Sequence, residues 1–368
     1  MKVILTGGGT GGHIYPAIAI ADMIKKEDEN AQILFIGTEQ GLESELVPQN
    51  GYDIKFITVS GFNRHNLLKN ISVIGKAIKG SNEAKKIITD FQPDFVMGTG
   101  GYVCGPVVRT AAKLGIPCFI HEQNAVAGLT NKLLEKYVRN IFIGFGEAEK
   151  CFSRREKLIF TGNPVRSGFF DLNRQECKKK LGISEKQFVV LCFGGSRGAN
   201  KINDVMLEVA ENFSGHLDVK LIFVTGKIYY NEICDIAKQK GIDQNDSVEF
   251  KKYIDDMPLY LGASDLVISR AGALTVAELM VCNRASILIP SPNVTANHQY
   301  YNAKAAEDVG AARIIVEKDL TSENIIKTVS ELKNDEMLRT DMEAACRLVG
   351  KKDAVRQIYN HIIDNLRS

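Results

Sequence analysis

The stretch Lys2-Val3-Ile4-Leu5-Thr6-Gly7-Gly8-Gly9-Thr10-Gly11-Gly12-His13 decides how this chain is read. Residues 3–5 form a short apolar run that ends in a glycine cluster, and residues 15–26 behind it are helix-like. Strand, glycine loop and helix in that order open a βαβ unit. Glycine permits the tight turn and lets a ligand approach the backbone, while the helix N-terminus offers unpaired N–H groups to an anionic or polar ligand. Gly7, Gly9 and Gly12 fit G-x-G-x-x-G literally, but no Gly-Lys-Ser/Thr follows, so the loop is not a Walker A motif.

The theme recurs on both sides of a boundary. Residues 33–36, 53–59, 95–97, 118–120 and 141–143 read as further strands, with a helical region over 67–90. Residues 160–187, with Thr161-Gly162-Asn163-Pro164 and a lysine cluster at 178–180, interrupt the alternation. It restarts at Phe188–Phe193, followed by Gly194-Gly195-Ser196-Arg197-Gly198 and a helix carrying Val205, Leu207 and Val209. Strands are expected at 221–224, 248–250, 266–268 and 286–289, and a terminal helix at 354–366. Strands separated by helices pair in parallel, so the expected fold is α/β, two Rossmann-like doubly wound domains in tandem. The expected domains are residues 1–163, residues 164–350, and a C-terminal helix in 351–368 packing back on the first domain.

Composition is that of a globular chain: 368 residues, 45% hydrophobic and 24% charged. Lys plus Arg total 46 against 44 Asp plus Glu, a balance that argues against a nucleic-acid-coating protein. The eight cysteines stand at least 14 residues apart, so no C-x-x-C pair exists and they read as buried apolar residues of a reducing compartment. No signal-peptide pattern and no run of 18 apolar residues occurs, so the expected location is the cytoplasm.

Several polar groups fall at strand carboxyl ends, where open sheets bind ligands. His13 follows the first loop. Its ordinary pKa near neutrality suits general-base work, although a lone histidine is more often a surface or satisfied core residue. His121-Glu122-Gln123-Asn124 follows the 118–120 strand and is not H-E-x-x-H, so it is no zinc motif. Ser269-Arg270-Ala271-Gly272-Ala273-Leu274-Thr275-Val276-Ala277-Glu278 reads as strand, turn and helix. There Thr275 and the free N–H groups can face a diphosphate and Glu278 the two hydroxyls of a ribose. The plain alternatives are dipole complementarity for Glu278 and an Arg270–Asp265 ion pair. Asn297-His298-Gln299 enters a helix behind the Pro290-Ser291-Pro292 loop, with amides of the kind a sugar site uses. No D-x-D occurs, so no carboxylate pair for a divalent ion is expected. On the residues alone, a Rossmann oxidoreductase, a sugar-nucleotide-binding regulator and a ligand-free pair of tight turns stay open.

Six motifs in order narrow this: Gly8-Gly9-Thr10-Gly11-Gly12-His13, Gly100-Gly101-Tyr102-Val103-Cys104-Gly105-Pro106, His121 to Asn124, Gly162-Asn163-Pro164-Val165-Arg166, Gly194 to Ala199, and Ser269 to Glu278. From about residue 2 to 350 the chain resembles glycosyltransferase family 28, the N-acetylglucosaminyltransferases of bacterial peptidoglycan synthesis. The resemblance implies a GT-B fold with its active site in a deep interdomain cleft. It implies inverting transfer of GlcNAc from UDP-GlcNAc to the MurNAc C4 hydroxyl of undecaprenyl-diphospho-MurNAc-pentapeptide (lipid I), giving lipid II. The sugar-nucleotide 2-epimerases share the tandem architecture and are the related alternative. By match to the motifs, Thr10, Gly11, Gly12, Asn124, Arg166, Ser196, Ile254, Ala273, Leu274, Thr275, Val276, Ala277, Glu278 and Gln299 would contact the donor. His13 would be the base, with Glu122 as a second catalytic residue and Tyr102 near the acceptor. The resemblance implies no cofactor and no metal, the diphosphate in this family usually being stabilised without one. The implied setting is cell-wall biogenesis, and with it cell shape and division, with other cell-wall synthesis proteins as partners and no nucleic acid.

A lipid-linked acceptor gives meaning to residues 67–79. Leu67, Ile71, Ile74 and Ile78 recur at helical spacing beside Lys69, Lys76 and Lys79. The plain alternative is an apolar stripe packed on the sheet. Residues 1–166 hold 20 Lys and Arg against 16 Asp and Glu, and residues 64–86 alone hold six basic residues and one acid. The expectation is a peripheral protein on the cytoplasmic face of the cell membrane, bound through the first domain.

Overall fold

The computed structural model describes residues 1–61, 70–195, 198–243 and 246–367. The chain divides into two compact units: residues 1–165 together with 352–368, and residues 166–351.

In the first unit the strands are β1 (Lys2–Thr6), β2 (Gln32–Gly37), β3 (Asp53–Phe56), β4 (Phe95–Gly98), β5 (Cys118–Glu122), β6 (Asn140–Ile143) and β7 (Leu158–Phe160). The helices are α1 (Gly11–Glu27), α2 (Glu43–Gln49), α3 (Asn70–Phe91), α4 (Cys104–Lys113) and α5 (Leu129–Leu134). All pairings among the described residues are parallel, in the order β3-β2-β1-β4-β5-β6-β7. Period-two alternation sends Val3 and Leu5 to one face and Ile4 to the other, and both faces are covered by helices.

In the second unit the strands are β8 (Phe188–Phe193), β9 (Val219–Val224), β10 (Val248–Lys251), β11 (Leu266–Ser269), β12 (Ser286–Leu288) and β13 (Ala312–Ile314). The helices are α6 (Arg174–Lys180), α7 (Asn200–Phe213), α8 (Tyr230–Gln239), α9 (Met257–Ala263), α10 (Ala273–Val281), α11 (His298–Asp308), α12 (Ser322–Asn334) and α13 (Glu336–Val349). This sheet is also parallel, in the order β10-β9-β8-β11-β12-β13. The last helix, α14 (Ala354–Arg367), belongs to the first unit. Its Val355, Ile358 and Ile362 join the core that α1 covers.

Each sheet reverses its winding once, beside β1 and beside β8, because the next strand pairs on the opposite side of each from its predecessor. The crevices outside the carboxyl ends of β1 and β4, and of β8 and β11, are therefore the two topological switch points.

Some expected elements shift. The first helix begins at Gly11, four residues before the stretch that looks helical, because Gly11 and Gly12 are poor helix formers that the loop geometry holds in place. The third strand ends at Phe56 rather than 59. β7 and β13 are three-residue edge strands too short to show a period. None of the eight cysteines forms a disulfide, and six are buried. No helix among the described residues is long and apolar enough to cross a membrane.

The helix over α3 answers the packing question in part. Gly80, Ala84 and Ile88 face the core. Ile78 lies on the opposite side of the helix, 61% exposed, between exposed Lys76 and Lys79. Leu67 and Lys69 lie outside the described residues.

Candidate functional site

At the first switch point the loop after β1 meets the loop after β4. Gly8 N–H donates to the Gly100 carbonyl at 3.3 Å, and Thr99 Oγ1 donates to the His13 carbonyl at 2.7 Å. Gly100 has φ +107, and a Cβ there would lie 2.6 Å from His13 Nδ1. Only glycine lets the second loop close against the edge of that ring. Thr10, the N-cap of α1, makes no side-chain cap, so Thr10, Gly11 and Gly12 present the first-turn N–H groups outward. Tyr102 is half-buried over Gly9, its hydroxyl 3.4 Å from Thr38 Oγ1.

His13 Nδ1 lies 3.1 Å from the Thr99 carbonyl and 3.2 Å from Gln123 Oε1. Glu122 is 2% exposed, and its two carboxylate oxygens accept four N–H groups: Asn124 N and Nδ2 on one, Gly128 N and Asn131 Nδ2 on the other. A carboxylate so enclosed and so fully bonded organises the turn after β5. It is not poised to take a proton from a substrate. Asn124 is carried by that turn.

A residue that sequence reasoning missed holds the floor of this site. Glu43, the first residue of α2, is 1% exposed and accepts from Gly9 N at 2.9 Å, Thr38 N at 3.0 Å and Thr38 Oγ1 at 2.7 Å. The one signal, an acid at a helix start, is indistinguishable from dipole complementarity.

At the second switch point a cavity of about 540 Å³ is lined by Gly194, Gly195, Gly198, Gly272, Thr275 and Gln299, among others. Gly198 has φ +80, and a Cβ there would lie 2.3 Å from the Thr225 carbonyl, which fixes the loop close to β9. The N-termini of α7 and α10 open here without side-chain caps, whereas α12 and α13 are capped by Thr321 and Asp335. Gln299 Oε1 accepts from Ser291 N at 2.9 Å, which pins the proline-bracketed loop. Arg270 donates to the Ile289 carbonyl and pairs with Glu317, while Asp265 pairs with Lys178 and Arg174, so the Arg270–Asp265 pair does not form. Burial pushes the Glu278 carboxyl up to about 7, against the pull of the Arg166 guanidinium. Val276 and Ile254 are buried, so any ligand meets chiefly their backbone. Ser196 lies outside the described residues.

Comparisons with known proteins agree on one family. Residues 3–143 match the glycosyltransferase family 28 N-terminal domain and residues 189–358 its C-terminal domain. A UDP-N-acetylglucosamine–N-acetylmuramyl-(pentapeptide) pyrophosphoryl-undecaprenol N-acetylglucosamine transferase of Bacillus cereus is 46% identical over 359 residues, 98% of each chain. A Thermoanaerobacter protein of the same name is 45% identical over 362 residues, 98% of this chain and 99% of that one. The crystal structure of Acinetobacter baumannii MurG superposes with a TM-score of 0.77 at 26% identity, covering 100% of this chain and 99% of that one. A Listeria monocytogenes structure described as a UDP-N-acetylglucosamine 2-epimerase reaches 0.73 at 13% identity, covering 99% of this chain and 96% of that one, a likeness of fold alone.

Proposed function

The chain belongs to glycosyltransferase family 28, and from that membership we propose that it transfers GlcNAc from UDP-GlcNAc to the MurNAc C4 hydroxyl of undecaprenyl-diphospho-MurNAc-pentapeptide, with inversion, forming lipid II. The observation that carries the reading is the division of labour between the two switch points. One holds an imidazole against backbone and amide acceptors, and the other a glycine-lined cavity at two uncapped helix N-termini. Inverting transfer needs one base and a stabilised diphosphate leaving group, and these are the two things supplied.

In this reading the second unit takes the donor. The N-termini of α7 and α10, with Thr275 and the loop of Gly194 to Gly198, receive the diphosphate, and Glu278 accepts the ribose hydroxyls. Gln299, Ile254, Arg166 and Ser196 complete the donor contacts of this unit, and the motif match assigns Thr10, Gly11, Gly12 and Asn124 to the donor as well. His13 takes the proton of the acceptor hydroxyl. Glu122 serves catalysis through the turn that carries Asn124, and Tyr102 borders the acceptor. The purified protein then releases UDP from UDP-GlcNAc only in the presence of a lipid-linked muramoyl-pentapeptide. Binding of UDP-GlcNAc with no turnover on an authentic acceptor overturns the reading in favour of a sugar-nucleotide regulator.

The lipid tail of the acceptor requires contact with the cytoplasmic face of the membrane. Exposed Ile78 between Lys76 and Lys79 supports placing that contact on α3, and exposed Leu129 and Leu133 flanking Lys132 on α5 extend the apolar and basic surface of the same unit. Each lysine near an anionic surface is worth about 1 kcal/mol. Replacing Lys69, Lys76 and Lys79 together by Glu therefore weakens binding to anionic vesicles by about 100-fold or more, read by co-sedimentation. Unchanged binding refutes this placement.

A further inference from the structure

His13 Nδ1 is one end of a chain of buried polar side chains that runs across the carboxyl ends of β4 and β5. At its far end His121 is fully buried, with Nε2 3.1 Å from the Gly162 carbonyl. A carbonyl only accepts, so Nε2 carries the proton and Nδ1 carries the lone pair. Burial pushes the His121 imidazole down to about 4, so it holds that single proton at neutral pH.

The His121 lone pair sets the next link. Gln123 is buried beside it, with Nε2 3.1 Å from His121 Nδ1 and 2.7 Å from the Thr99 carbonyl. Both partners are acceptors, so the amide nitrogen must point at them. Turning the amide over would set its oxygen against two lone pairs and leave that of His121 Nδ1 unpaired in a dry place. Gln123 Oε1 is thereby directed at His13 Nδ1, at 3.2 Å. The other group facing His13 Nδ1 is the Thr99 carbonyl, again an acceptor. Two acceptors on one ring nitrogen require that nitrogen to bear hydrogen.

We propose that Gln123, oriented by His121, is a positioning residue that keeps the His13 proton on Nδ1 and so leaves Nε2 as the atom that accepts the proton of the acceptor hydroxyl. The inference rests on the reading of His13 as the base. When Nε2 takes the proton, the Nδ1–H bonds to Gln123 and Thr99 remain in place, and the hydroxyl oxygen bonds to the sugar C1 as the C1–O bond to the diphosphate breaks and its electron pair leaves with UDP. The relay ends in neutral amide and carbonyl oxygens, which fix the side of protonation without adding the counter-charge of a carboxylate.

The test is histidine-selective nitrogen NMR of the whole protein from pH 6 to 8, with His13 assigned by its absence in His13→Ala. The neutral His13 ring is expected as the Nδ1–H form and His121 as the Nε2–H form. A wild-type His13 that is neutral as the Nε2–H form overturns the proposal. In Gln123→Leu both His13 forms appear, and kcat falls about five- to tenfold, the worth of one neutral hydrogen bond, with donor KM within twofold. An unchanged ratio of forms together with an unchanged kcat overturns the role of Gln123. A shifted ratio with unchanged kcat upholds the relay and overturns His13 as the base.

Discussion

In His13→Ala, turnover falls by about 10²- to 10⁴-fold, the usual worth of a positioned general base, while UDP-GlcNAc still binds. The two effects separate because the groups assigned to the nucleoside diphosphate are built mainly on the other unit, around α7 and α10. The substitution leaves the fold largely alone. His13 is half-buried, the hydrogen bond that Thr99 Oγ1 makes is to its backbone carbonyl, and alanine is a better helix former at the start of α1. Steady-state UDP release gives kcat, and calorimetric titration with UDP-GlcNAc gives the affinity. Turnover within threefold of the wild type would falsify the assignment of the base. Equal loss of donor affinity would move His13 to a binding role.

Glu43→Ala is expected to lower stability by roughly 3–5 kcal/mol, although Glu43 touches no position assigned to substrate. The carboxylate is the acceptor for Gly9 N, Thr38 N and Thr38 Oγ1, and alanine leaves all three facing a dry cavity. Each unsatisfied buried group costs about 1–3 kcal/mol, less whatever an entering water recovers. The glycines around it are shaped to this side chain: a Cβ on Gly41 would lie 2.1 Å from one carboxylate oxygen and one on Gly8 2.5 Å from the other. At roughly 2–4 °C per kcal/mol for a unit of this size, the transition moves down by about 10 °C in thermal denaturation. Glu43→Gln, which keeps one acceptor oxygen, loses less. A Glu43→Ala transition within 2 °C of the wild type would show that the loop does not depend on this carboxylate.

The fold was legible to the extent that its signals are local. β1 and β8 are largely apolar runs followed directly by glycine, and a parallel strand buried on both faces leaves that trace wherever it occurs. α14 showed itself through Val355, Ile358 and Ile362, spaced for one helical face. β7 and β13 left no such trace, because three residues at a sheet edge carry too little pattern. The start of α1 was hidden for a different reason. Its first residues are glycines, kept by the loop for close approach at the expense of helix propensity.

The candidate site was legible as a set of residues and not as a set of roles. Motif order brought His13, Tyr102, Glu122 and Asn124 to one switch point, and Thr275, Glu278 and Gln299 to the other. Within the first, His13 keeps Nε2 with no hydrogen-bond partner among the described residues, whereas Glu122 has both oxygens engaged by the turn it folds. The two looked alike as polar residues at strand ends. Whether Arg270 pairs with Asp265 was equally undecidable along the chain, and the nearer acid in space proved to be Glu317.

The layered architecture, the two switch points and the family follow from runs, glycines and their order, because these are properties of consecutive residues. Which polar side chains hold the loops and which remain open to a substrate depends on partners distant in the chain. Gly9 meets Glu43 across 34 positions, and His13 meets Gln123 across 110. A hydrogen bond is set by distance and direction in space, so the chemistry of His13 was decided only when β1, β4 and β5 came side by side.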